Sequence, residues 1–208
     1  MTDHAGRFEV LSTQHVFHGY AFDVRTDQVR MPEGTVAARD VVEHLGAVAV
    51  LAIDTDDRVC LVNQYRHPVG ENLLELPAGL LDVAGEPAWD TARRELFEEA
   101  ALRATDWQVL IDLYTSPGTT SEAIRVYLAR GLTEVPAADR HAAEHEELVM
   151  TLEWHPLDQL VSMALAGELT NAPAVAAVLA ADAARTAGWA GLRPVSAPWP
   201  AKPDRVAG

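Results

Sequence analysis

Residues 46–53, Gly-Ala-Val-Ala-Val-Leu-Ala-Ile, carry no polar side chain. A short apolar run bounded by turn signals reads as a strand buried inside a core, not as half of an exposed hairpin. The sequence after it, Asp54-Thr55-Asp56-Asp57, has the composition of a tight turn leading into a second strand over 58–65. Upstream, 8–30 alternates apolar and polar residues with a turn at His18-Gly19, and 36–43 reads as a further strand. Downstream, the pattern predicts a short strand over 72–76 closed by Pro77, a helix over 87–101, and strands over 107–114, 123–129 and 148–154. Two Ala-rich helices follow, over 157–166 and 172–187. Helices after a mixed sheet imply an α+β chain with α/β/α layering and a small antiparallel β region at its N-terminus. Its divisions are expected at 1–44, 45–190 and 191–208. The last has four prolines between 194 and 203 and is expected to be irregular.

Charge narrows the range of functions. The 208 residues carry 31 acidic and 16 basic side chains, for a formal net charge of -15. That balance disfavours duplex nucleic acid, whose binders need a basic face, and docking on an anionic membrane. Lys202, near the end of the chain, is the one lysine among the basic residues. Schiff-base chemistry and a phosphate loop ending in Gly-Lys-Ser/Thr therefore lack their central residue. A lone Cys60 excludes an internal disulfide, a cysteine zinc cage and a CxxC pair. No apolar run reaches membrane-spanning length, and 1–7 contains no signal-peptide segment, so a soluble, cytoplasmic protein is expected.

The residues that carry chemistry lie in 74–102, LELPAGLLDVAGEPAWDTARRELFEEAAL. Pro87 is suited to the first helical position. At 100° per residue Trp89, Ala92, Leu96 and Ala100 form one apolar stripe, and Glu95, Glu98 and Glu99 fall together away from it. Helix stability alone would not select these three. Glu95 and Glu99 repel each other at i,i+4, and Glu98 and Glu99 sit at the negative end of the helix dipole, where a cation is preferred. A bound divalent ion relieves both penalties, and carboxylate oxygens suit hard ions such as Mg²⁺ or Mn²⁺.

The segment resembles the Nudix box, in which Gly, five residues and Glu precede seven residues and Arg-Glu-aliphatic-x-Glu-Glu-x-Gly-aliphatic. Here Glu86 is followed by seven residues and then by Arg94-Glu95-Leu96-Phe97-Glu98-Glu99-Ala100-Ala101-Leu102. There are two departures. Gly79 lies one residue further from Glu86 than the pattern has it, and Ala101 replaces the closing glycine, which puts the usual left-handed helix ending in question. The LPAG approach, the run Gln64-Tyr65-Arg66-His67 and the element Ser116-Pro117-Gly118 are similar to those of ADP-ribose pyrophosphatases.

That resemblance implies hydrolysis of ADP-ribose to AMP and ribose 5-phosphate. It implies Glu95, Glu98, Glu99 and the Ala78 carbonyl as ligands of Mg²⁺, with Mn²⁺ able to substitute. Glu86 and Arg94 are expected to pair and hold the box together, with Arg94 orienting Glu95 and Gly79 serving the turn. It further implies a carboxylate base from the loop before the last core strand. Of Glu144, Glu146 and Glu147, the last is favoured because it borders that strand, and preorganisation is what a base requires. Arg66 is expected to contact a phosphate, with Arg39 as a second candidate. Glu75 is expected either to meet ribose hydroxyls or simply to end a strand. Phe17, Tyr20, Phe22 and Trp107 are alternative adenine partners. Related enzymes are homodimers in which the N-terminal β region completes the partner's pocket, so a dimer is expected. The competing readings are hydrolysis of another nucleoside diphosphate sugar or a dinucleotide, and a non-catalytic Nudix sensor or regulator. The last leaves the three glutamates unexplained.

Overall fold

The computed structural model describes residues 8–141 and 149–202. Its centre is β4 (Ala47–Ile53), every residue of which is buried. Alternation sends Val48, Val50 and Ala52 to one face of the sheet and Ala47, Ala49, Leu51 and Ile53 to the other. The first set packs on helix α1 (Ala88–Ala100) through Ala92, Leu96 and Ala100. The second packs on α2 (Leu157–Ala166) and α3 (Ala172–Thr186) through Leu157, Leu160, Ala174, Ala177, Val178 and Ala181. A strand apolar on both faces thus requires a layer of helix on each side, and the α/β/α sandwich follows.

The eight-stranded mixed sheet runs β10 (Thr151–Pro156), β5 (Arg58–Arg66), β4, β9 (Ala123–Glu134), β8 (Leu102–Tyr114), β11 (Arg193–Pro194). β4 and β9 are parallel, whereas β4 meets β5 only at Ala52 and Ile53 before the two diverge. β6 (Glu71–Glu75) pairs with β5, and β7 (Ala78–Leu80) pairs with β4. The sheet is therefore split along its middle. Pro77, at the turn between β6 and β7, accepts the Val50 amide with its carbonyl at 2.8 Å.

Pro87 is the cap of α1, with extended backbone (φ -63, ψ 138), one residue outside the expected start. At the other end Ala101 does adopt the left-handed conformation (φ 50, ψ 39) that its missing glycine put in question, and its amide donates to Phe97 O. An L-residue there costs roughly 1–2 kcal/mol. Burial of the flanking Ala100 and Leu102, and the 2.8 Å bond from the Val135 amide to the Ala101 carbonyl, hold it in place.

The N-terminal region is a separate three-stranded antiparallel sheet in the order β1 (Glu9–His18), β2 (Phe22–Arg30), β3 (Val36–His44). All of β1 is exposed. The end of β3 is pinned to the sandwich, where Val42 exchanges amide bonds with Thr119 O and Ser121 N, each 2.9 Å. The C-terminal segment is irregular beyond its two-residue strand β11, yet it is tied to the sheet. β11 pairs with β8, and Ala197 and Pro198 give their carbonyls to the buried Arg125 at 2.8 and 2.9 Å. No helix among the described residues is long and apolar enough to cross a membrane.

Candidate active site

The split between β4 and β5 opens into a cavity of about 550 Å³. Arg66 at the end of β5, Glu75 at the end of β6, all of β7, His44, Glu122 and Asn171 line it. β7 is the strand on which the cavity meets helix α1. Gly79 lines the cavity, and any Cβ on it would overlap the Glu95 carboxylate, so only glycine lets that glutamate lie against the strand. Next to it the Ala78 amide donates to Glu99 Oε2 at 2.9 Å. The one-residue lengthening of the loop after Gly79 leaves this contact intact.

Arg94 is the hub of the acidic helix face. Its Nη1 donates to Glu95 Oε1 at 2.6 Å and to Glu98 Oε2 at 3.2 Å, and its Nη2 donates to Glu86 Oε2 at 3.2 Å. Thr91 Oγ1 donates to the other side of the pair, Glu86 Oε2, at 2.8 Å. Burial opposes the charge on Glu86, but the bonds from Arg94 and Thr91 outweigh it and hold that carboxyl below its usual range. Glu95 goes the other way. Burial pushes its carboxyl above the usual range even though Arg94 is adjacent, and Glu98 adds repulsion.

One guanidinium thus faces three carboxylates, and the fourth, Glu99, lies beside them on the same helix. Among the described residues no three acidic, imidazole or thiol groups form a ready cation cage, because Arg94 stands between Glu95 and Glu98. The donor set nevertheless fits a hard divalent cation. It supplies only carboxylate and backbone oxygens, it is partly buried, and its negative charge exceeds what one arginine neutralises.

Arg66 and Glu75 both line the cavity, and Glu75 does end its strand. They form a two-pronged pair, Nε to Oε1 at 3.0 Å and Nη2 to Oε2 at 2.6 Å, with Glu75 only 5% exposed. Arg39 is not brought to the cavity. It lies exposed on β3 and donates to Ala38 O and Met31 Sδ. Glu144, Glu146 and Glu147 lie outside the described residues. Of the aromatic candidates, Phe17 and Phe22 contact each other in the N-terminal sheet at 5.9 Å, Tyr20 is exposed, and Trp107 meets Tyr127 on the α1 face. None lines the cavity within one chain.

The sequence reading passed over His44, Glu122 and Asn171. His44 Nδ1 accepts the Gly46 amide at 3.1 Å and lies 3.6 Å from Glu122 Oε1, and Glu122 Oε2 accepts from Thr115 Oγ1 at 2.5 Å. Nothing local signals a pairing so distant in sequence, because it depends on β3 docking on the 115–122 loop, where the His44 amide also donates to Ser121 Oγ. Asn171 was legible as a helix cap. Its side chain accepts the Ala174 amide at 3.0 Å in front of a proline.

The sequence profile of the NUDIX domain matches residues 43–178. An ADP-ribose pyrophosphatase of Mycobacterium tuberculosis is 49% identical over 200 residues, spanning 96% of this chain and 95% of that protein. An ADP-ribose pyrophosphatase of Bacillus subtilis is 33% identical over 145 residues, 70% of this chain and 77% of its own. A solved structure described as an ADP compounds hydrolase superposes with a TM-score of 0.74 at 22% identity, covering 88% of this chain and 97% of that one. At that identity the likeness bears on the fold alone.

Proposed function

The chain belongs to the NUDIX family, and from that premise we propose that it is a divalent-metal-dependent hydrolase that cleaves the diphosphate of ADP-ribose to AMP and ribose 5-phosphate. The observation that carries this reading is the common wall formed by β7: the cavity lined by Arg66 and Glu75 meets, at Ala78 and Gly79, the helix face bearing Glu95 and Glu99. The substrate reading rests on the ADP-ribose pyrophosphatase of Mycobacterium tuberculosis, matched in sequence over 95% of its length.

Mg²⁺ is the proposed metal, with Mn²⁺ as substitute, held by Glu95, Glu98, Glu99 and the Ala78 carbonyl. A divalent ion there supplies Lewis acidity, neutralising the diphosphate and activating a water for attack on phosphorus. The protein's own residues prepare the rest. Glu86 fixes Arg94, and Arg94 keeps Glu95 and Glu98 turned to one side of α1. Glu75 orients the Arg66 fork so that a diphosphate oxygen meets a guanidinium already held in place. Glu147, ahead of Glu146 and Glu144, is the proposed base that takes the proton of the water. Arg39 and the exposed aromatic residues of residues 1–44 are proposed to act across a homodimer, contributing to the partner's pocket. The enzyme is proposed to work in the cytoplasm.

The test is a comparison of specificity constants for ADP-ribose, GDP-mannose and NADH with Mg²⁺ and with Mn²⁺. ADP-ribose is expected to be preferred, with AMP and ribose 5-phosphate as products. Absence of ADP-ribose turnover with both metals overturns the substrate assignment.

A further inference from the structure

On the side of α1 that faces β8 lies a second cavity, about 420 Å³, which shares no lining residue with the one described above. Arg93, Arg94 and Arg103 converge on it, with Asp90, Phe97 and Trp107 completing the wall. Arg94 is taken by Glu86, Glu95 and Glu98, so the positive charge the cleft offers a ligand comes chiefly from Arg93 and Arg103. Their partners do not exhaust them. Arg103 is exposed and makes no hydrogen bond or ion pair among the described residues; its guanidinium lies over the Phe97 ring at 5.6 Å. Arg93 lies over Trp89 at 5.0 Å and reaches Asp90 only at 3.5 Å. Stacking on a ring occupies the face of a guanidinium and leaves its in-plane N–H groups to a ligand.

We propose that this cleft binds the phosphate of a small phosphate monoester. Planar N–H forks from separate arginines match the several terminal oxygens of a tetrahedral phosphate better than a single carboxylate. The volume exceeds what inorganic phosphate needs and lies in the range of small-molecule sites. Phe97, Leu96 and Trp107 offer an apolar wall for the body of the ligand. Arg94 connects the cleft to the acidic face, because the guanidinium that lines it also binds Glu86, Glu95 and Glu98. A phosphate in the cleft competes for that guanidinium and strengthens the hold of the glutamates on a divalent cation. This second step rests on the metal-binding role proposed above; the binding itself does not.

Calorimetric titration of the metal-free full chain with inorganic phosphate, ribose 5-phosphate and AMP tests the site. AMP affinity is expected to fall about tenfold in Arg103→Gln, the loss of one charge-assisted bond, and to persist in Arg66→Ala. Arg103 is exposed, so its replacement leaves the fold intact, and Arg93→Gln gives an independent second reading. AMP binding more tightly than inorganic phosphate supports the aromatic wall, and equal binding overturns it. Binding that survives both Arg103→Gln and Arg93→Gln but is lost in Arg66→Ala overturns the site, as does no binding at millimolar ligand. For the coupling, Mn²⁺ affinity followed by electron paramagnetic resonance is expected to rise with AMP in the wild type and not in Arg103→Gln. An unchanged Mn²⁺ affinity overturns the coupling. Because the calorimetry uses no metal and no turnover, failure of the ADP-ribose assignment leaves its outcome readable.

Discussion

Two arginines, Arg125 and Arg94, each gather a cluster of charged and polar groups, and they do so in opposite ways. Arg125 is 2% exposed and well provided for: Asp112 takes its Nε and Nη2 at 2.7 and 3.0 Å, and the carbonyls of Ala197 and Pro198 accept two more of its N–H groups. Asp112 in turn holds a second arginine, Arg193, at 2.7 Å, and the Trp199 ring lies 4.9 Å from the Arg125 guanidinium. Around Arg94 the ratio is inverted, with one guanidinium for three carboxylates. A cluster built for stability gives its buried donors and acceptors fixed partners. One left with surplus negative charge on a rigid helix is arranged for something that arrives later. The Arg125 cluster fastens the C-terminal segment to the sheet; the Arg94 cluster is the one proposed above to hold a cation.

That contrast breaks if the two clusters respond alike to mutation. Arg125→Ala is expected to destabilise the fold by roughly 3 kcal/mol, since it empties a buried site, removes two of the bonds to Asp112 and frees the Ala197 and Pro198 carbonyls. Denaturant unfolding measures the loss, and ADP-ribose turnover per folded molecule should stay near wild type. Glu98→Gln and Glu99→Gln should do the reverse. Each removes a ligand charge, so turnover falls about a hundredfold or more while the unfolding midpoint barely moves. Equal loss of stability in both clusters would return the glutamates to an ordinary solvated helix face. Gly79→Ala lies between the two. Its methyl group displaces the Glu95 carboxylate, which swings away on a flexible chain; stability changes little, and kcat should drop about tenfold or more.

The same contrast explains what could be read from the sequence. The helix and its glutamates were legible because their geometry is local: spacings of three and four residues fix a face whatever surrounds it. β4 was legible because an unbroken apolar run allows one placement. Nonlocal pairings were not. Arg66 was expected at a phosphate and Glu75 either at ribose hydroxyls or at a strand end, and only the turn between β5 and β6 brings them together as a two-pronged pair. His44 and Glu122 meet because β3 docks on a distant loop. The anchoring of the irregular C-terminal segment was not legible, for a chemical reason. Proline lacks an amide hydrogen and so weakens any strand pattern, yet its carbonyl accepts as well as any other, and Arg125 uses the one on Pro198. The left-handed Ala101 shows that tertiary contacts can hold a residue whose intrinsic preference lies elsewhere.

The smallest expected effect separates the clusters by pH. Burial works against the charge of Asp112, but its bonds from Arg125 and Arg193 outweigh that and hold its carboxyl below the ordinary aspartate value of 3.8. An acid whose folded pKa is depressed binds fewer protons in the folded state. The stability it confers is present above 3.8 and is lost as pH falls through the lower, folded value. Asp112→Asn removes that contribution, so at neutral pH the variant should be less stable than the wild type by about 1 kcal/mol, the net worth of a charge-assisted bond partly retained by the amide. As pH drops below 3.8 the two unfolding midpoints should converge, because the wild-type carboxyl becomes neutral too. Other carboxyls held low, such as Asp27 and Asp54, act equally in both proteins and cancel in the difference. A gap that stayed constant through the acid range would mean that Asp112 acts by shape and not by charge, and the Arg125 cluster would then be a matter of packing.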